Sequence, residues 1–142
     1  MRVLFQYPNG RLAFLVPSPK WKGTMEELAA KDLPVGVTEY SIVPDDAIPT
    51  DRSFRNAWDY DHAGKRVRVN FERAKEITKE RLRKEREPIL KELDVKFMKA
   101  LGAGEYPQPI VSEKARLCDI TKLVDQCKSL QELKDLSCNG TV

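Results

Sequence analysis

The chain has 142 residues, of which 33% are charged and 41% are apolar, and its formal net charge is +3. This length holds one ordinary domain or two small modules that share a helix, and the apolar fraction excludes a disordered chain. We expect neither a secretion signal nor a membrane span, because no apolar run is long and uninterrupted enough. A folded protein with a large polar surface is expected.

The small net charge conceals a segmental pattern. Residues 1–23 carry four basic and no acidic side chains, residues 24–61 carry a net charge of −6, and residues 65–101 carry a net charge of +6. Segments of opposite charge attract each other, either within one molecule or between copies.

Residues 1–69 are predicted to form a small α+β module. Residues 2–6 and 12–16 are rich in β-branched and aromatic residues, and the Asn9-Gly10 pair between them is typical of a β-hairpin turn. The sequence Thr24-Met25-Glu26-Glu27 matches a capping box and predicts a short helix over residues 25–32.

Two further strands are predicted in this module. Residues 38–43 alternate loosely between polar and apolar side chains, and residues 66–69 form a last strand before a long helix. The sheet is expected to be small and antiparallel.

Residues 70–101 are predicted to form a long connecting helix. The segment contains no glycine, and opposite charges recur at three- and four-residue spacing, each pair adding about 0.2–0.5 kcal/mol of helix stability. Pro88 lies inside the segment, lacks an amide donor and crowds the preceding turn. The helix is therefore predicted to be bent or broken near Pro88.

Apolar residues are unevenly distributed along this helix. Leu82 is the only clearly apolar side chain between Thr78 and Pro88, which predicts a solvated spacer in the middle. Apolar residues return after Pro88 in numbers that predict a wide buried face.

Residues 102–142 are predicted to form a helical C-terminal tail. Residues 112–126 show amphipathic helix spacing, and Ser129-Leu130-Gln131-Glu132 is a second capping box. The tail contains three cysteines, Cys118, Cys127 and Cys138, whose odd number and spacing favour reduced thiols over a disulfide or a zinc site.

Two sets of residues are candidates for an interaction surface. Phe54, Arg55 and Trp58 combine aromatic rings with a guanidinium, as interface anchors commonly do. An alternative is that Phe54 and Trp58 form the apolar face of one helical turn packed on the sheet. Phe97, Met98 and Leu101 are the candidates for self-association or packing in the C-terminal half.

No catalytic constellation is recognisable in the sequence. The single histidine, His62, lies near Asp59 and Asp61, but a histidine in a polar turn is most often solvated. We therefore expect a protein that is not an enzyme, with no catalytic residue, no metal and no cofactor.

A nucleic-acid-binding module is the alternative class of function. Its contacts would come from the basic helix 73–86, through Lys79, Arg81, Arg83, Lys84 and Arg86. The glutamates interleaved along the same segment weaken this interpretation.

Several segments together resemble a known group of proteins. They are the N-terminal hairpin followed by Val-Pro, the stretch DRSFRNAW, the helix NFERAKEITKERLRKEREPILKELDVKFMKAL and the ending LQELKDL. Their order is similar to that of small proteins encoded in the tail regions of phages and prophages. The resemblance implies an accessory or chaperone-like role in tail or tail-fibre assembly, in the cytoplasm of a bacterial host or on the virion, with no cofactor.

The sequence thus predicts an α+β fold and a non-enzymatic interaction protein. Its partner is expected to be another protein or further copies of itself, as a dimer or trimer, and not a membrane.

Overall fold

The computed structural model describes residues 1–139, so the last three residues of the predicted C-terminal tail lie outside the described part. The fold is α+β, with small antiparallel sheets and several helices, one of them long. Contacts divide the chain into two compact units, Met1–Asn70 and Phe71–Val142.

The first unit contains five strands, one helix and two short 3₁₀ turns. In chain order these are β1 (Arg2–Gln6), β2 (Leu12–Leu15), α1 (Met25–Asp32), β3 (Tyr40–Val43), the 3₁₀ turns Asp45–Ala47 and Arg55–Ala57, β4 (Trp58–Asp61) and β5 (Arg66–Val69). The predicted hairpin, helix and strands are confirmed, whereas β4 was not predicted.

The first unit has three layers because successive side chains of β1 point to opposite faces of the sheet. The three-stranded sheet has the order β2-β1-β3, and both pairings are antiparallel. On one face Val3 packs with Leu28 and Ala29 of α1. On the other face Leu4 packs with Trp58 and Val67 of the β4–β5 hairpin.

The turn between β1 and β2 is closed by the residues that predicted it. Gly10 has a φ of 86°, which a residue with a side chain rarely adopts. The side-chain oxygen of Asn9 accepts a hydrogen bond from the Arg11 amide at 3.0 Å. This geometry fixes the register in which Leu4 faces Phe14.

Helix α1 begins with the predicted capping box. Thr24 Oγ1 accepts from the Glu27 amide at 3.1 Å, and Glu27 Oε2 accepts from the Thr24 amide at 2.8 Å. Two amides that the helix cannot satisfy by itself are thereby paired.

Replacing Thr24 with alanine is expected to lower the free energy of unfolding by about 1 kcal/mol, because one capped amide loses its acceptor. Urea denaturation followed by tryptophan fluorescence measures this change. Trp21 is a suitable reporter since its Nε1 donates to the Thr24 carbonyl. Thr50→Ala, at an exposed loop position, is the matched control, and equal stability of the two variants would contradict the prediction.

The described part of the second unit, up to residue 139, contains three helices. They are α2 (Phe71–Gly102), α3 (Gln108–Val124) and α4 (Leu130–Asp135). Helix α2 runs through Pro88 without interruption, so the predicted break does not occur. Pro88 and Lys84 are both exposed, so the hydrogen bond that proline cannot donate is missing on the solvent side of the helix.

Burial along α2 is the reverse of the prediction. The side chains of Ala74, Thr78 and Leu82 are buried, so the middle of the helix is not a solvated spacer. They recur every four residues and form a narrow stripe that α3 and α4 cover. Thr78 fits this stripe because its hydroxyl donates to the Ala74 carbonyl at 2.8 Å. The wide buried face predicted after Pro88 is absent, since Val95, Met98 and Leu101 there are exposed.

The core of the second unit is formed by side chains from all three helices and the segment after α4. Each of these is at most 2% exposed: Leu82, Leu117, Ile120, Val124, Leu133 and Cys138. The predicted amphipathic spacing of α3 is therefore confirmed by its buried residues.

Candidate functional site

The first candidate surface, formed by Phe54, Arg55 and Trp58, is folded inward. Phe54 is 7% exposed and Trp58 is 2% exposed, so neither is available as a surface anchor. The alternative role is observed for Trp58, which packs in the cluster between the sheet and the β4–β5 hairpin. Phe54 directly precedes the 3₁₀ turn and Trp58 begins β4, so the two do not lie on one α-helical turn.

Arg55 explains why this segment lies against the sheet. Its guanidinium carbon is 4.7 Å from the Trp58 ring centroid and 5.2 Å from the Phe14 ring centroid, and its Nη2 donates to the Leu12 carbonyl at 2.8 Å. Burial, and secondarily the positive charges of Arg52 and Arg11, lower the pKa of Arg55. The arginine thus joins β2 to β4, and its side chain is engaged in contacts within the first unit.

The basic helix 73–86 is likewise committed to internal contacts. Arg81 binds Glu85 at 2.8 Å and donates to the carbonyls of Leu133 and Leu136 at 3.1 and 2.8 Å. These two carbonyls lie at the C-terminal end of α4, where a helix leaves acceptors unpaired. Arg81 therefore caps α4 and holds it on α2.

Arg86 and Lys79 attach α3 to α2 in the same way. Arg86 donates to the carbonyls of Leu117 and Cys118, at 3.2 and 3.1 Å. Lys79 pairs with Asp125 at 3.0 Å, and this hydrogen bond raises the pKa of Lys79. Three of the cations proposed for nucleic acid are thus engaged within the unit.

The segment after α4 returns to α2 through Cys138. This side chain is 1% exposed, and its Sγ donates to the Leu82 carbonyl at 3.3 Å. Burial and then the nearby Glu85 carboxylate raise the pKa of the thiol, which keeps it protonated as a donor. Arg116 adds a hydrogen bond to the Cys138 carbonyl at 2.9 Å. All three cysteines are free thiols in the structure.

The second candidate surface is exposed. Among the ten large apolar side chains on the surface of residues 1–139, four lie between residues 95 and 106 and mark this part of the chain. We call them the helix-end patch: Val95 (54% exposed), Met98 (66%), Leu101 (44%) and Tyr106 (69%). Phe97 is half-buried beside them, with its ring centroid 6.5 Å from that of Tyr106.

The charges around the helix-end patch are balanced. Residues 91–106 contain three basic and three acidic side chains. Lys96 is paired with Glu92 at 3.2 Å, while Lys99 and Glu105 form no ion pair within residues 1–139. The patch is therefore an apolar surface with a rim of both signs and no net charge.

His62 does not form a dyad with the neighbouring carboxylates. Asp61 binds Arg68 at 2.6 Å and Asp59 accepts from the Asn70 side chain at 2.8 Å. The His62 ring instead contacts the Tyr60 ring edge to face, with centroids 4.8 Å apart. Within residues 1–139 no cluster of three or more His, Cys, Asp or Glu is placed to hold a metal ion. None of the described helices is both long and apolar enough to span a membrane.

The class that the structure defines is an α+β protein with two compact units and an exposed apolar helix end. Comparison with known proteins adds no family, because no family model, no curated protein and no solved structure matches this chain.

Proposed function

We propose that the protein is a non-enzymatic interaction protein that associates with a second copy of itself through the helix-end patch. The observation that carries this proposal is the exposure of Val95, Met98 and Leu101 along the last turns of α2. They follow one another at three-residue intervals, so they lie on neighbouring parts of one helix face. Exposed apolar side chains grouped on one helix face are typical of a protein interface.

The rim charges favour a second copy over a strongly charged partner. In a two-fold symmetric contact both copies use the same surface. If one residue of the first copy contacts a second residue of the other copy, the reverse contact is also made. A patch with no net charge meets its own image without repulsion. Lys99 and Glu105, which have no ion pair within residues 1–139, give the rim one unpaired charge of each sign.

The cellular role that we propose is accessory or chaperone-like, in phage tail or tail-fibre assembly. It is supported by the resemblance of the segments DRSFRNAW and LQELKDL, and of the long helix, to proteins of phage tail regions. Such a role requires protein contacts and no chemistry, which agrees with an exposed apolar helix end.

Light scattering over a concentration series, at low and at high salt, tests self-association. The unaltered chain is expected to form a dimer whose dissociation constant changes little with salt, because apolar contacts are not screened. Leu101→Glu is expected to raise the dissociation constant at least about thirtyfold, since an unpaired charge in an apolar contact costs about 2 kcal/mol or more.

Leu123→Glu is the matched control. Leu123 lies on α3 and is 45% exposed, against 44% for Leu101, so both substitutions add the same charge at equally accessible leucines. A monomer at every concentration, or equal weakening by the two variants, would overturn the proposal.

A further inference from the structure

A cleft of about 390 Å³ opens in the first unit, beside the core between the three-stranded sheet and the β4–β5 hairpin. Clefts of this size are typical of small-ligand sites. The cleft is distinct from the helix-end patch, which belongs to the second unit.

The cleft has an apolar side and an aromatic side. Leu4 and Leu12 line it and are both nearly fully buried, so they form an apolar floor. Tyr60 and His62, whose rings are in edge-to-face contact at 4.8 Å, come from β4 and the turn after it. Tyr40 of β3 also borders the cleft, but it is paired with Phe5 and its ring belongs to the other face of the sheet, so Tyr60 and His62 form the aromatic side.

The sheet register explains how polar groups reach the same cleft. Leu4 is paired with Ser41 across β1 and β3, so the two side chains lie on the face that carries the hairpin. Glu39, the residue that directly precedes β3, also lines the cleft. A carboxylate and a hydroxyl thus border the apolar floor.

The electrostatics of the lining are one-sided. Among the described residues that line the cleft, Glu39 is the only one with a carboxylate, and none is a lysine or an arginine. Glu39 forms no ion pair in the part of the chain that the structure describes, and it belongs to residues 24–61 with their net charge of −6. A carboxylate without a counter-ion attracts a cation by its charge. Aromatic rings beside it attract an organic cation through cation–π interactions.

We infer that this cleft binds an organic cation, an ammonium group carried on a small apolar body. The ammonium lies at Glu39 and against the aromatic side chains, and the apolar body covers Leu4 and Leu12. The inference does not depend on the proposed self-association.

The test is an NMR titration of the ¹⁵N-labelled full chain with a matched ligand pair. The pair is choline and 3,3-dimethylbutan-1-ol, in which an uncharged carbon replaces the nitrogen. Choline is expected to shift the amides of residues 38–41 and 60–62 and to bind at least about tenfold more tightly than the alcohol. Equal affinities, shifts elsewhere, or no shift at a large excess of choline would overturn the inference.

Two variants test whether the Glu39 carboxylate causes the preference for choline over the alcohol. Glu39→Gln keeps the size of the side chain and is expected to remove most of the preference for choline over the alcohol. Asp46→Asn, an equally conservative change at an exposed position outside the cleft, is expected to leave the preference unchanged. The inference fails if the two variants behave alike, and the amide spectrum itself reports whether each variant is folded.

A second arm distinguishes a free amine from the same group on a peptide. A short neutral peptide with one trimethylated lysine is titrated in place of choline. Strand β3 lies at the edge of its sheet, so a bound peptide is expected to shift Ile42 and Val43 in addition to the cleft. Shifts confined to the cleft identify the free amine, and either result upholds the site.

Discussion

Replacing Leu82 with alanine is expected to lower the free energy of unfolding of the second unit by about 2–5 kcal/mol. Leu82 is fully buried, and its carbonyl also accepts the Cys138 thiol, so its neighbourhood is fixed from several sides. A cavity at this point cannot collapse easily, because α2 is held to α3 and α4 by Arg86 and Arg81. The loss is a large share of the stability of a small domain, which is about 5–15 kcal/mol.

Circular dichroism at 222 nm during urea denaturation measures this loss. The signal reports mainly the second unit, since α2 has 32 residues and α3 has 17, while α1 in the first unit has 8. Leu123→Ala is the control, because that leucine is 45% exposed. If both variants lose equally little stability, Leu82 is not central to the core.

Replacing Trp58 with alanine is expected to cost about 3–5 kcal/mol in the first unit. Trp58 is 2% exposed, lies in the cluster between sheet and hairpin, and meets Phe14 edge to face at 6.1 Å. Its removal also leaves the Arg55 guanidinium without the ring at 4.7 Å. Both the apolar core and the cation–π contact are lost together.

Trp58→Phe separates the size of the ring from its indole nitrogen. The Nε1 atom of Trp58 is buried and has no hydrogen-bond partner within residues 1–139. Replacement by phenylalanine therefore removes a donor without breaking a hydrogen bond. We expect the phenylalanine variant to be less than half as destabilised as the alanine variant. Fluorescence of the remaining Trp21 follows unfolding in both, and equal destabilisation would contradict this account.

The local structure of the first unit was predictable because its signals are local. The Asn9-Gly10 turn and the Thr24–Glu27 capping box each act within a few residues, and both form as predicted. Strand β4 was missed, since Trp58-Asp-Tyr-Asp alternates but contains two aspartates that are uncommon in strands. The β5 partner and the Arg55 contacts supply what the local sequence lacks.

Burial along α2 was not predictable from the density of large apolar residues. Ala74 is small and Thr78 is polar, so neither adds to the density of large apolar residues. With Leu82 they nevertheless form the buried stripe that other helices cover. The half after Pro88 is richer in apolar residues but lacks a covering element over Val95 and Met98 among residues 1–139. Only the positions of α3 and α4 decide which stripe is covered.

The candidate surfaces show the same limit. Phe54 and Trp58 have the composition of an interface, and the sequence left open whether they face solvent or the sheet. The structure places them in the core, whereas Met98 and Leu101 lie on the surface. The cleft around Glu39 brings together β1, β2, β3 and β4, and pairings over such distances leave no signal in the local sequence.

The order of contacts along the chain has a consequence for biosynthesis. The carbonyl that Arg81 caps on Leu133 lies 52 residues further along the chain. At roughly 5–20 residues per second, α2 waits on the order of 3–10 s before α4, the second of its two covering helices, is made. During that interval the exposed Glu–Lys and Glu–Arg pairs along its surface, which add little to the finished fold, keep the new helix hydrated and apart from its neighbours.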